Sequence, residues 1–342
     1  SRIQVFSSSG QPLGQTGYTS AARGDFNSSG GLALDSRGSM FVSDKDANVV
    51  RKFSLANGQE VAAFGTPTTT PGQFNQPSHM AVDAQGNLYV ADSNNNRIQK
   101  MSQSGQPLAQ FGRLGSGPGQ FNDPVGVAVD RFGNIYVADA FNNRIQKLSP
   151  DGKPLAEWGG FGSGPGQFNH PYGIAVDPQG GMYIADSYNN RVQKLSPTGQ
   201  YQGQVGGAGS DPGKFNHPRN VQLDAQGTLY VADTGNNRIQ KLAPDGSASA
   251  QFGSAGSGLG QLAQPADVTV DSAGNMYVAD WNNGRVEVFS SNGAALGILG
   301  GLGTGPSQYL EPYGIVVDAG GNVYVADLEN NRITKLSVKP AP

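Results

Sequence analysis

Residues 171–195 read PYGIAVDPQGGMYIADSYNNRVQKL. Two clusters of turn formers divide this stretch into three short runs. Residues 173–177 (GIAVD) are apolar up to a terminal Asp, and residues 178–181 form a turn. Residues 182–186 (MYIAD) make a second run, which ends before the turn formers Asn189 and Asn190. Residues 191–195 (RVQKL) alternate, and after a further turn at 196–199, residues 201–205 complete a fourth run. Short β-branched and aromatic runs bounded by Gly, Asn, Asp and Pro are strands joined by tight turns. We call these strands a to d.

The unit recurs. The Asp that ends strand b falls at Asp44, Asp92, Asp139, Asp186, Asp233, Asp280 and Asp327. The first interval is 48 residues and the next five are 47. Four antiparallel strands per unit, repeated at a fixed period, are the signature of a β-propeller. The sequence therefore predicts an all-β, seven-bladed β-propeller of four-stranded antiparallel blades. It forms a single domain over residues 1–342, closed by N- and C-terminal strands. Residues 2–6 read as a c-strand and 11–15 as a d-strand, whereas the C-terminus supplies a, b and c. The two terminal c-strands are expected to compete for one place, with the C-terminal copy taking it.

The composition agrees. Gly (51) and Pro (21) are abundant, as a chain of many turns requires. Net charge is −3 from 23 basic and 26 acidic residues, with no basic run. A nucleic-acid partner needs a positive field, so none is expected. The absence of cysteine excludes disulfides and thiolate metal sites. No apolar run reaches the length of a membrane span, so membrane insertion is not expected. A composition rich in Asn, Gln and Ser leans towards an extracellular or periplasmic location.

The unit P-x-G-I-A-V-D…G-N-x-Y-V-A-D…N-N-R-I-Q-K-L, seen in residues 124–148 (PVGVAVDRFGNIYVADAFNNRIQKL) and again in 171–195, resembles the NHL repeat. The resemblance implies a propeller. Many propellers of that family have six blades, and the repeat count here predicts seven. It also implies a choice of functions, because some family members are enzymes. The peptidyl-hydroxyglycine lyase holds zinc with histidines at the channel mouth. The related gluconolactonase and streptogramin lyase propellers use a divalent metal or a His in the channel.

Residues present in every unit read as structural. The Asp ending strand a (Asp83, Asp130, Asp177) is a turn former. The Arg of the NNR motif is expected to pair with the Asp that ends strand b, and the Phe of GQF (Phe74, Phe121, Phe168, Phe215) to wedge between blades. Function is expected where units differ, on the face carrying the b–c turns and d–a connectors. The residue before strand a is Gly31, His79, Gly126, Gly173, Asn220, Asp267 and Gly314 in turn. The residue before it adds Tyr172, Arg219 and Tyr313. The pair after each b-strand Asp adds Lys45, Asp46, Phe141, Tyr188, Trp281, Asn282 and Glu329.

Exposed aromatics and Arg suggest a contact surface. The expected partner-binding set is Tyr172, Tyr188, Arg219, Trp281, Tyr313 and Phe141. The reading favours a non-enzymatic recognition scaffold for a protein, peptide or glycan, with no catalytic residue and no cofactor. A metal-assisted lyase or hydrolase at the mouth of the central channel is the alternative. In that case His79, Asn220 and Asp267 are candidate ligands for calcium or another divalent ion, because oxygen donors suit such cations. Only three histidines exist, and His170 and His217 fall in a slot before Pro that looks like a polar anchor, so a three-His zinc site is not expected.

Overall fold

The computed structural model describes residues 3–6, 12–16, 29–35, 38–45, 47–55, 60–64, 71–102, 104, 106–224, 226–303, 308–317, 322–327 and 332–337. Blade four shows how the repeat folds. Its strands Pro171–Val176, Met182–Asp186, Arg191–Leu195 and Tyr201–Gly206 pair antiparallel in sequence order. Strand b is buried along its whole length, because neighbouring blades cover both of its faces. Strand d lies at the rim and is the most exposed of the four, with no fully buried residue.

Adjacent blades share cores. Phe168 is fully buried among Tyr136, Ala138 and Ile145 of blade three and Met182, Ile184 and Leu195 of blade four. Phe74, Phe121 and Phe215 do the same at their junctions. Removing such a ring costs about 3–5 kcal/mol. Gly159 is forced by this wedge: its φ is 112°, and a Cβ there would stand 2.5 Å from the Phe168 ring.

A buried polar cluster locks each connector onto its blade. In blade three, Arg144 Nε donates to Asp139 Oδ2 at 2.8 Å, and the guanidinium also donates to the carbonyls of Ser116, Gly117 and Gln120. Asp139 Oδ1 accepts from the Asn122 backbone N–H at 2.7 Å. Arg97, Arg191, Arg238 and Arg285 pair with Asp92, Asp186, Asp233 and Asp280 in the same way. Buried charges persist only when paired and hydrogen-bonded. The Asp at the end of strand a is the expected turn former: Asp177 Oδ1 accepts from the N–H groups of Gln179 and Gly181.

The blade count corrects the sequence reading. Six sheets, not seven, are four-stranded antiparallel blades; their inner strands are Ser29–Leu34, Pro77–Val82, Pro124–Val129, Pro171–Val176, Val221–Leu223 and Pro265–Val270. The remaining unit is a five-stranded sheet built from both ends of the chain, in the order Pro12–Thr16, Ile3–Phe6, Arg332–Ser337, Asn322–Asp327, Pro312–Val317. Ile3–Phe6 runs parallel to Arg332–Ser337, the one parallel pairing between these strands. The two c-strands therefore do not compete. The C-terminal copy sits beside strand b, and the N-terminal copy is added outside it, carrying its own d-strand. Counting repeats could not reveal this, because each terminal strand carries the same local pattern as its internal counterparts. The inner strand Pro312–Val317 packs against those of blades six and one. No described helix is long and apolar enough to cross a membrane.

Candidate active site at the channel mouth

Inner strands begin with an irregularity. The register of strand a against strand b slips between Pro77 and Met80 in blade two, Pro171 and Ile174 in blade four, Pro265 and Asp267 in blade six, and Pro312 and Gly314 in the terminal sheet. A bulge re-aims side chains. His79, Tyr172 and Tyr313 fall within these slips, and Asp267 ends one. Where the same position is Gly, the reason is close approach: a Cβ on Gly126 would lie 2.3 Å from the Tyr172 carbonyl oxygen of the next blade.

These side chains converge on one cavity of about 320 Å³, lined by residues from every inner strand. His79, Tyr172, Arg219, Asn220, Asp267 and Tyr313 all face it. A second chamber of about 180 Å³ adjoins it across His79, Tyr172 and Tyr313, and adds Lys45, Gln76 and Asp123.

The electrostatics are uneven. Asp267 Oδ1 accepts from the Asn220 side-chain amide and from Val268 N–H at 2.8 Å, while Oδ2 accepts from Ile315 N–H at 3.1 Å. Burial nevertheless dominates and pushes its pKa up to about 6. His79 is pushed down to about 4, first by burial and then by Lys45, so it is neutral at pH 7. Its ring stands edge-on to Tyr172, with centroids 6.4 Å apart. The Tyr172 phenol is held well above the ordinary tyrosine range, first by Tyr313 and then by burial.

Arg219 sits at the centre of an aromatic group. Its guanidinium lies 4.6 Å from the Trp281 ring centroid and 5.6 Å from that of Tyr313, and Nη1 donates to the Tyr313 hydroxyl at 3.3 Å. Trp281 and Tyr313 meet edge to face at 5.9 Å. Among the described residues, Arg219 has no carboxylate partner.

Tyr172, Arg219, Trp281 and Tyr313 are thus brought together, with His79, Asn220 and Asp267 around the same space. Tyr188 and Phe141 stand apart. Both are about half exposed, in a surface row with the two remaining histidines. Phe141 meets His170 at 5.2 Å, His170 stacks on Tyr188 at 4.5 Å, and Tyr188 meets His217 at 5.5 Å. The anchor in the pre-proline slot is therefore the backbone: His170 N–H donates to Asn143 Oδ1. Asp46 and Glu329 lie outside the described residues. Of the second chamber, Lys45 was named among the variable positions, but Gln76 and Asp123 were read only as anchors and not as lining a chamber. Its signal was the pre-proline slot itself, where Gln76 and Asp123 face the channel.

Among the described residues no three His, Cys, Asp or Glu side chains gather in a way that could hold an ion. Asp267 already accepts three hydrogen bonds, and Asn220 Oδ1 accepts from Val221 N–H at 2.7 Å. His79, Asn220 and Asp267 share the cavity without forming a coordination shell.

Fold and site together define a β-propeller with a polar, aromatic-lined pocket at the mouth of its central channel. The chain belongs to the virginiamycin B lyase family, whose pattern it matches over residues 27–336. No curated protein matches it. Among solved structures it is similar to a streptogramin B lyase (17% identity, 91% of this chain and 93% of that one, TM-score 0.73). It is also similar to a catalytically inactive histidine-to-alanine variant of virginiamycin B lyase from Staphylococcus aureus with quinupristin (16% identity, 90% and 94%, TM-score 0.70). The hydrazine synthase of Kuenenia stuttgartiensis has the same fold (14% identity, 93% and 97%, TM-score 0.72). At these identities the structural likeness speaks for the fold alone. Family membership overturns the expectation of a non-enzymatic recognition scaffold, because the family is one of lyases. The sequence reading erred by treating the absence of a familiar catalytic motif as absence of chemistry. In a propeller the reacting groups come from different blades and leave no local motif.

Proposed function

We propose that the protein is a lyase acting at the channel mouth, on a substrate of the streptogramin B kind. The observation that carries this reading is the gathering of Asp267, Arg219, Tyr172 and Tyr313 around one cavity of about 320 Å³. An elimination needs a base, a site for developing negative charge and a proton for the leaving group. Asp267, with a pKa raised to about 6, is ionised at neutral pH yet basic enough to accept a proton. Its Oδ2 receives one hydrogen bond, which leaves an acceptor position.

The base removes a proton from carbon beside a carbonyl. The electron pair forms a carbon–carbon double bond, and the leaving group departs with its own pair. Arg219 faces the charge that grows in this step, in a site partly shielded from water where such contacts are strongest. Tyr172, held protonated, supplies the proton to the leaving group; Asp267 then releases its proton to solvent and Tyr172 takes one up from solvent, which restores both groups. His79, neutral and with a pKa near 4, is a poor base and serves as a wall and hydrogen-bonding group.

The test is incubation of the full chain with quinupristin, followed by mass measurement of the products. Elimination adds no water, whereas hydrolysis adds one. Asp267→Asn and Arg219→Gln are expected to lose at least about 100-fold in rate, the scale of removing a base or a charge-stabilising donor. If quinupristin and other streptogramin B compounds are left unaltered, the reading fails.

A further inference from the structure

The recurrent arginines of the blades are spent on buried aspartates, but Arg219 is not. Its described contacts are the Tyr313 hydroxyl and the faces of Trp281 and Tyr313. A guanidinium has five N–H donors, and stacking occupies none of them. On the second-chamber side, Lys45 Nζ lies 5.7 Å from the centroid of the same Tyr313 ring. Lys45 also has no carboxylate partner among the described residues. Two cations thus share one aromatic ring at the boundary between the chambers.

Among the described residues, the carboxylates nearby form no close ion pair with them. Asp267 is turned to backbone N–H groups and Asn220 and makes no ion pair with either cation among the described residues. Asp123, in the second chamber, is pushed up mainly by burial, against an opposing attraction to Lys45. Both chambers together have room for a planar ring and its substituent, and their walls include Met80, Ile174 and Ile315.

We propose that the channel mouth is a recognition site for a singly charged, ring-bearing anion: an aromatic carboxylate, or a substrate group of that chemistry. The carboxylate meets Arg219 and Lys45 across Tyr313, and the ring lies against Tyr172 and the apolar wall. A planar fork matches a carboxylate, and a monoanion suits a site with two carboxyl groups close by better than a phosphate dianion does. This goes beyond the lyase reading and does not rest on it.

The experiment is calorimetric titration of the full chain with benzoate and with benzamide, its neutral counterpart of the same shape. Wild type is expected to bind benzoate at least about tenfold more tightly than benzamide, with the preference falling steeply as salt screens the cations. Arg219→Gln and Lys45→Gln are each expected to reduce that preference, with Arg219→Lys restoring part of the Arg219 loss. Equal affinity for the two compounds, or no binding of either, overturns the proposal. If quinupristin is converted while benzoate shows no preference, the lyase reading stands and the anion site falls. Benzoate preference without any lyase activity leaves the anion site and removes the lyase.

Discussion

Asn143 and His170 are joined across a blade boundary: the His170 backbone N–H donates to Asn143 Oδ1 at 2.9 Å, and both residues are left-handed, at φ 55° and 50°. The pattern repeats from blade to blade. Asn48, Asn96, Asn190 and Asn237 receive the N–H groups of Gln76, Asp123, His217 and Gln264. A left-handed residue before proline is unfavourable on its own. The donated hydrogen bond is what holds it, and Asn is the residue that both accepts the bond and tolerates positive φ. Asn190→Gly keeps the conformational freedom and removes the acceptor. It is expected to destabilise by about 0.5–1.5 kcal/mol, measured by denaturant unfolding, because it removes the acceptor of the His217 N–H. An unchanged midpoint would show that solvent replaces the bond without cost.

Blade six departs from the pattern at Glu287. In blade three the same place holds Gln146, whose Nε2 donates to the Gln120 carbonyl at 2.6 Å and to Asp139 Oδ2 at 3.3 Å. Glu287 accepts from Gly260 N–H and sits 3.2 Å from Arg285 Nη2, but it has no proton to give when ionised. Burial, with some help from Asp280, raises its pKa. Glu287→Gln restores the donor, and it is expected to stabilise by about 1–2 kcal/mol at neutral pH. The sign follows from linkage. A carboxyl raised in the folded state is costly once ionised, so the gain is expected to be larger near pH 8 than near pH 4. Equal gains at both would place its origin elsewhere.

Much of the fold was legible because blades repeat. The strand boundaries of residues 171–206, the Arg191–Asp186 pair and the Phe168 wedge all follow from local pattern. Two things were not. The terminal sheet depends on a parallel pairing between residues some 330 apart in sequence, Gln4 with Thr334 and Val5 with Lys335. No turn signal encodes that choice. The pocket was half legible: Tyr172, Arg219 and Tyr313 stood out as departures from a repeat, but Trp281, which closes over Arg219, was grouped with Tyr188, which stacks on His170, although Trp281 is the first residue after its b-strand Asp and Tyr188 the second. The first position of this turn is buried in other blades (Ser93, Ala140, Ser187, Thr234) and the second is exposed (Phe141, Tyr188), so the offset decides their environment.

The pH dependence of turnover tests Asp267 as the base. With its pKa at about 6, the reactive carboxylate is lost on acidification, so kcat/KM is expected to fall about tenfold per pH unit well below 6 and to level off above it. A limb governed by His79 would instead bend near 4. Asp267→Glu, which keeps a carboxyl but moves it, is expected to shift the bend along with lowering the plateau.

Stability has the opposite dependence on these two groups. His79 is lowered, so between about 6.5 and 4 the unfolded chain binds a proton that the folded chain does not, and acidification destabilises. Asp267 is raised, so between about 6 and 3.8 the folded chain binds the extra proton, and acidification stabilises. In His79→Leu only the Asp267 contribution remains of the pair. Its melting temperature is expected to fall less than that of wild type on going from pH 7 to pH 4.5. An equal fall would mean that His79 titrates normally in the folded chain.

The two aromatic groups separate catalysis from surface chemistry. Trp281 stacks on Arg219 at the pocket, so Trp281→Ala frees the guanidinium to move. It is expected to lower quinupristin turnover by about tenfold or more, the scale of misplacing a charge-stabilising group. Tyr188 is half exposed, between His170 and His217, and does not line either chamber. Tyr188→Ala is expected to leave kcat and KM unchanged within about twofold and to cost less than about 1 kcal/mol, because an exposed ring contributes little buried area. Steady-state kinetics on the two variants decide the matter. Loss of activity in Tyr188→Ala with the fold intact would extend the site onto the row of rings. Full activity in Trp281→Ala would remove Arg219 positioning from the mechanism.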